Sequence, residues 1–69
     1  MRAKAVYRML VGRDIVEVVD IAEGETVLLW DLAPRQVRRF ARVVREDLNT
    51  MSAEDFRARW AQVQGPEDL

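Results

Sequence analysis

Three short runs rich in β-branched and large apolar residues fill the first half of this sequence. They cover residues 3 to 11, 15 to 22 and 26 to 32, and the segments between them are Gly12-Arg13-Asp14 and Glu23-Gly24-Glu25. Residues 14 to 23 also fit a helical period, but the β-branched side chains in that run favour a strand. Such runs joined by glycine-containing turns predict two consecutive hairpins, a three-stranded antiparallel meander.

The second half of the sequence changes from a strand-like to a helical period. Pro34 is a suitable first helical residue because its missing N–H has no partner there in any case, and Asn49 is a suitable end. Between them, apolar side chains recur at helical spacing: Val37, Phe40, Ala41, Val44 and Leu48. This spacing predicts a helix with one buried face.

A second helix is predicted after Ser52. Ser52 is a good N-cap, and Glu54 and Asp55 suit the positive end of the helix dipole. Phe56, Trp60 and Val63 form an apolar stripe, and Gly65-Pro66 is predicted to end the helix. The fold class is therefore α+β, with the order β-β-β-α-α in two layers. We expect one compact domain over residues 1 to 64 and a flexible C-terminal tail over residues 65 to 69.

Composition argues against catalysis. The 69 residues contain no cysteine, no histidine, one serine and two threonines, so a thiolate, an imidazole base and an activated hydroxyl are missing. We expect no enzyme activity, cofactor, metal site or small-molecule substrate. The apolar stretch near the N-terminus is too short and too charged for a signal peptide or membrane span, which predicts a cytoplasmic protein with no membrane association.

Charge is strongly segregated along the chain although the net charge is only −1. Residues 1 to 13 carry +4, residues 14 to 31 carry −6, residues 32 to 45 carry +5 and residues 46 to 69 carry −4. Such segments give a folded domain a bipolar surface unless they neutralise one another in space. Both outcomes are compatible with the sequence.

Both faces of the predicted sheet contain large apolar side chains. With tight turns at Gly12-Arg13 and Glu23-Gly24, Arg8 is predicted opposite Glu17. One face then carries Val6, Leu10, Ile15, Val19, Ile21, Leu28, Trp30 and Leu32, and the other carries Ala5, Tyr7, Met9, Val16, Val18, Val27 and Leu29 with Asp20 and Asp31. Two helices cover one face, so the other is predicted to bind a protein unless the register differs or the helices cover both sides.

The third strand is a second candidate for self-association. Residues 26 to 32 are apolar and are predicted to form an edge of the sheet, which favours pairing with another copy. Trp30 and Leu28 are the candidate apolar contacts with a partner, because buried tryptophans often dominate interface energies. The alternative for Trp30 is a place in the core. We therefore expect a homodimer formed through the sheet.

The first predicted helix also carries five arginines on one side. They lie within an arc of about 120° when each residue turns 100°: Arg35, Arg38, Arg39, Arg42 and Arg45. This arginine surface could bind an acidic protein, bind nucleic-acid phosphates, or be a solvated face that pairs with Glu46, Asp47 or the acidic hairpin. A further hypothesis is that residues 14 to 31 imitate a nucleic acid, as in inhibitors of the phage-encoded type.

We interpret the sequence as a small non-catalytic protein-binding module that acts as a regulator, adaptor or inhibitor. Its predicted partner-binding residues are Leu28, Trp30, Arg35, Arg38, Arg39, Arg42 and Arg45. The second hypothesis is a nucleic-acid-binding protein that uses the arginine surface of helix 34 to 48. The composition fits this second hypothesis less well, because the net charge of −1 is unlike that of a strongly basic nucleic-acid binder.

Overall fold

The computed structural model describes residues 1 to 69 and confirms the α+β fold, with three antiparallel strands followed by two helices. The strands are β1 (Tyr7–Val11), β2 (Ile15–Asp20) and β3 (Glu25–Asp31). The helices are a single turn α1 (Ala3–Val6), α2 (Pro34–Thr50), α3 (Ala53–Trp60) and a 3-10 helix (Pro66–Asp68). The strand order β1-β2-β3 leaves β1 and β3 as the edges.

The first predicted strand begins later than expected, because residues 3 to 6 form α1. The N-terminal residues pair with the junction between α2 and α3 rather than with the sheet. The Ala3 N–H donates to Met51 O at 3.0 Å, and the Ala53 N–H donates to Met1 O at 2.8 Å. These two hydrogen bonds fix the chain beside α2 and α3, and Ala3 is fully buried there.

The turn between β1 and β2 is centred one residue later than predicted. Its hydrogen bond runs from the Gly12 N–H to Ile15 O at 2.8 Å, so Arg13 and Asp14 are the turn residues. Arg8 therefore lies opposite Val19, and Glu17 lies opposite Leu10. The predicted Arg8–Glu17 cross-strand pair is wrong. The displacement is an even number of residues, so the side chains of β1 and β2 keep their predicted faces.

The β2–β3 connection changes the predicted faces of β3. It is a four-residue turn from Ile21 to Gly24, and Gly24 adopts a φ of 69° that other residues rarely take. A bulge follows, because Val18 pairs with Leu28 while Val19 pairs with Thr26. A tight turn at Glu23-Gly24 would pair Val16 with Asp31. In the structure Val16 pairs with Trp30, so β3 is offset there by one residue. The predicted assignment of β3 side chains to the two sheet faces is therefore wrong.

The core lies between the helices and one face of the sheet. At its centre, Trp30 from β3, Phe40 from α2 and Trp60 from α3 are all 5% exposed or less. Their rings meet edge to face, with centroids 5.0 Å apart for Trp30–Phe40, 5.6 Å for Trp30–Trp60 and 5.7 Å for Phe40–Trp60. Such aromatic pairs add roughly 0.5–1.5 kcal/mol each beyond the area that they bury.

The opposite face of the sheet is not covered by a helix, and we call it the open sheet face. It mixes polar and apolar side chains: Arg8, Leu10, Ile15, Glu17, Val19, Thr26, Leu29 and Asp31. Leu10 and Leu29 flank Glu17 in register and are 40% and 50% exposed. The Thr26 hydroxyl donates to Glu17 Oε2 at 2.7 Å. The polar residues make this face less apolar than the sequence predicted.

Local capping sets where the two main helices begin. The Ala33 N–H donates to Gln36 Oε1 at 3.3 Å before Pro34 opens α2, and Ser52 Oγ accepts from the Asp55 N–H at 3.1 Å. The predicted starts of both helices are confirmed. The end of α3 at Trp60 is earlier than predicted. The chain then turns, and the 3-10 helix begins after the buried Gly65.

Candidate functional site

The arginine surface is on the side of α2 that faces away from the sheet. All five of its side chains are exposed: Arg35, Arg38, Arg39, Arg42 and Arg45. On the other side of the same helix, Val37, Phe40, Ala41, Val44 and Leu48 are all buried, as predicted. From the first arginine to the last, the surface extends about 15 Å along the helix axis at 1.5 Å per residue. Five guanidinium groups are thus presented together by one rigid element.

None of these arginines has an acidic partner in the fold. The one ion pair with an N–O distance below 4.0 Å joins Arg59 of α3 to Asp47, at 2.8 Å. Asp47, which the sequence offered as a partner of the arginine surface, is therefore engaged elsewhere. Glu46 is exposed at the far end of the arginine surface and makes no ion pair. The charged segments of the sequence do not neutralise each other here, so the positive charge faces solvent.

A groove of about 510 Å³ runs beside the arginine surface, between α2 and the 3-10 helix. Its lining combines two arginines and a glutamine with four apolar side chains: Arg35, Gln36, Arg39, Phe40, Val43, Pro66 and Leu69. Since Phe40 is only 1% exposed, the accessible apolar atoms come mostly from the other three. The groove can therefore accept a small aliphatic group beside two cations.

No aromatic side chain is exposed anywhere on the protein. Tyr7, Trp30, Phe40, Phe56 and Trp60 are the five aromatic residues, and each is 8% exposed or less. Single-stranded nucleic acids are usually bound by bases that stack on exposed aromatic rings between basic groups. The arginine surface lacks that second component.

Trp30 and Leu28 do not lie with the arginines. Both face the helices, and Trp30 is 5% exposed in the core, with its Nε1–H donating to Val63 O at 2.8 Å. Leu28 is partly buried against the same core. The structure therefore supports the core alternative for Trp30. The exposed leucine of β3 is Leu29, because the strand is offset by one residue from the predicted register.

Sequence reasoning found the arginine surface and missed the groove. The arginines could be found because helical spacing places them together whatever the rest of the chain does. The groove depends on Pro66 and Leu69 returning to α2, within a segment predicted to be a flexible tail. No local pattern in residues 61 to 69 specifies that return.

No protein-family model, curated protein or solved structure matches this chain. None of its helices has the length and apolar character needed to cross a bilayer.

Proposed function

We propose that this protein is a small non-catalytic docking module that binds a carboxylate-rich surface of another protein through the arginine surface of α2. The observation that carries the proposal is that five exposed arginines lie together on one helix with no carboxylate within ion-pair distance. Guanidinium groups suit this role because their planar fork binds carboxylates through two parallel hydrogen bonds. The module would act as a regulator, an adaptor or an inhibitor in the cytoplasm.

The groove gives the proposed partner a second property. Arg35 and Arg39 line both the arginine surface and the groove, where they lie beside Val43, Pro66 and Leu69. A partner segment with acidic side chains next to an aliphatic one fits both features. Charge complementarity then speeds encounter and sets orientation, while the buried aliphatic group supplies contact that salt does not screen.

Nucleic-acid binding is the second candidate, because the same unpaired arginines could neutralise several phosphates. Two observations favour a protein partner instead. The aromatic side chains that would stack with bases are all buried, and the groove beside the arginines has apolar lining residues that suit an aliphatic side chain better than a phosphate. Binding to a duplex would then rest on backbone phosphates alone.

A matched pair of double variants tests the proposal. Arg38→Gln/Arg42→Gln removes two charges from the arginine surface, while Lys4→Gln/Arg13→Gln removes two from exposed positions elsewhere. The probes are an acidic peptide with one central leucine, the same peptide with serine in its place, and duplex DNA. We expect the wild type to bind the leucine peptide best at about 150 mM salt, with roughly tenfold weaker binding by Arg38→Gln/Arg42→Gln. Lys4→Gln/Arg13→Gln should bind like the wild type.

Two results would refute this function. Tighter binding to DNA than to either peptide would make the nucleic-acid candidate the better one, and equal effects of the two double variants would show that net charge rather than the arginine surface matters. A pull-down from source-cell lysate, with and without nuclease, then identifies the natural partner. That partner should be retained after nuclease treatment and lost with Arg38→Gln/Arg42→Gln.

A further inference from the structure

The open sheet face is suited to binding a copy of itself, for a reason independent of the arginine surface. It carries both signs of charge close together, whereas the arginine surface carries one sign and repels its own copy. Arg8 and Leu10 are two residues apart on β1. Across from them on β2, Val19 lies opposite Arg8 and Glu17 lies opposite Leu10. These four residues form a roughly square patch, the square, on the open sheet face, with Arg8 and Glu17 on one diagonal and Leu10 and Val19 on the other.

Arg8 has no carboxylate partner within its own chain. It makes no ion pair, and Glu17 accepts its hydrogen bond from the Thr26 hydroxyl at 2.7 Å. Leu10 is 40% exposed beside them. The square therefore offers an unpaired cation, an oriented anion and apolar surface within one small area.

We propose that two copies of the chain associate face to face through this square, as a two-fold symmetric dimer. A two-fold contact needs a self-complementary patch, because each residue meets the residue that its own copy presents. When the axis lies in the interface along the Leu10–Val19 diagonal, Arg8 of each copy meets Glu17 of the other. Leu10 and Val19 lie near the axis and meet their own counterparts.

Known sheet geometry allows this arrangement. With strands about 4.8 Å apart and alternate residues about 6.8 Å apart, the strands of the two copies cross at roughly 70°. That angle is near the orthogonal class of sheet packing. It also separates the two Glu17 carboxylates and places the partner's Arg8 beside each of them.

Pairing through the β3 edge is less favourable than pairing through the face. Glu25 and Asp31 are at the two ends of β3 and both are exposed. When two β3 strands pair antiparallel about Leu28, Glu25 of one meets Asp31 of the other, and like charges in that position are destabilising. The acids at both ends therefore disfavour pairing of two β3 edges, whereas the open sheet face carries charges of both signs.

Charge reversal tests the dimer directly, with sedimentation velocity over a protein concentration range up to about 1 mM. The upper limit is high because a three-stranded face is small for a specific interface, and we expect dissociation in the micromolar range. Arg8→Glu and Glu17→Arg each place like charges together in a homodimer. We expect each variant alone to self-associate at least tenfold more weakly than the wild type.

The decisive sample is an equimolar mixture of the two variants. Arg8→Glu carries two acids on the square and Glu17→Arg carries two arginines, so both ion pairs reform in a heterodimer. Their mixture should therefore recover the dimer. Arg13→Glu and Glu23→Arg, which reverse charges in the turns, should dimerise like the wild type, as should Arg38→Gln/Arg42→Gln.

The proposal fails if the wild type stays monomeric over the whole range, if the single variants remain dimeric, or if their mixture stays monomeric. Circular dichroism of each variant shows whether it is folded. If a reversal unfolds the chain, Arg8→Gln and Glu17→Gln replace it, and both should weaken the dimer several-fold. Unchanged dimerisation of these neutral variants would also refute the proposal. None of these outcomes depends on what the arginine surface binds.

Discussion

The indole nitrogen of Trp60 donates a hydrogen bond to Asp47 Oδ2 at 2.9 Å, which joins α3 to α2. The same oxygen accepts from Arg59 Nη1 at 2.8 Å. Trp60 is fully buried, so without Asp47 its N–H would be a buried donor lacking a partner. Asp47 is thus the hydrogen-bond acceptor for the buried indole N–H. Because its carboxylate is used there, it does not pair with the arginine surface.

Substitution of Asp47 should separate the hydrogen bond from the ion pair. Asp47→Ala leaves the indole N–H unsatisfied and should lower the free energy of unfolding by about 1–3 kcal/mol. Asp47→Asn keeps a carbonyl acceptor and loses only the charge opposite Arg59. That half-exposed ion pair contributes about 0–1 kcal/mol, so the loss should be smaller. Urea denaturation measures both values. Equal losses would mean that the charge matters more than the hydrogen bond.

Replacement of Trp30 should strongly destabilise the fold rather than remove a contact with a partner. Tryptophan-to-alanine changes in a core cost about 3–5 kcal/mol, and a 69-residue domain has roughly 3–10 kcal/mol in total. Trp30→Ala should therefore lose a large share of the free energy of unfolding, which circular dichroism would show as a much lower melting temperature. Leu29→Ala, at the preceding and half-exposed position, is the control and should cost less than about 1 kcal/mol. A folded Trp30→Ala variant with wild-type melting temperature would contradict the core role.

The two turns explain why the fold could be predicted from the sequence while the face of Trp30 could not. The strand runs and glycine positions specify a meander whatever the length of each turn. The face of a side chain depends on whether the register is odd or even, and one extra residue reverses it. The even displacement at Arg13-Asp14 left Tyr7 and Val16 correctly placed. The odd offset of β3 at Val16 put Trp30 on the opposite face of the sheet from the predicted one.

The helices were easier to predict because their faces follow from sequence spacing alone. Val37 and Phe40 are buried and the arginines are exposed, as the 3.6-residue period requires. What spacing does not give is the neighbour of each exposed charge. That Asp47 pairs with Arg59, twelve residues away, depends on how α3 packs against α2.

Gly24 offers a test of the β2–β3 turn that fixes the register. Its φ of 69° is left-handed, and a Cβ added there would have no atom within 4 Å. Any cost of Gly24→Ala is therefore backbone strain, about 1 kcal/mol or slightly more. Gly24→Asn should cost less, since asparagine tolerates this conformation. Thermal unfolding of the two variants checks the order. An alanine variant as stable as the wild type would argue against the left-handed turn.

Arg35 should show opposite effects on stability and on binding. It is the second residue of α2, near the positive end of the helix dipole, and Arg38 and Arg39 follow three and four residues later. Arg35→Glu replaces unfavourable interactions with favourable ones, about 0.3–1 kcal/mol with the dipole and about 0.2–0.5 kcal/mol with each neighbour. We expect urea denaturation at low salt to show a more stable protein, and a smaller gain at high salt.

The same variant should bind the acidic leucine peptide more weakly, because Arg35 lines both the arginine surface and the groove. Arg35→Gln is the matched control and should fall between Arg35→Glu and the wild type in both measurements. A residue that lowers the stability of its own helix and improves binding has a role outside the fold. Loss of stability in Arg35→Glu, or unchanged peptide binding, would instead make Arg35 an ordinary solvated residue of the helix.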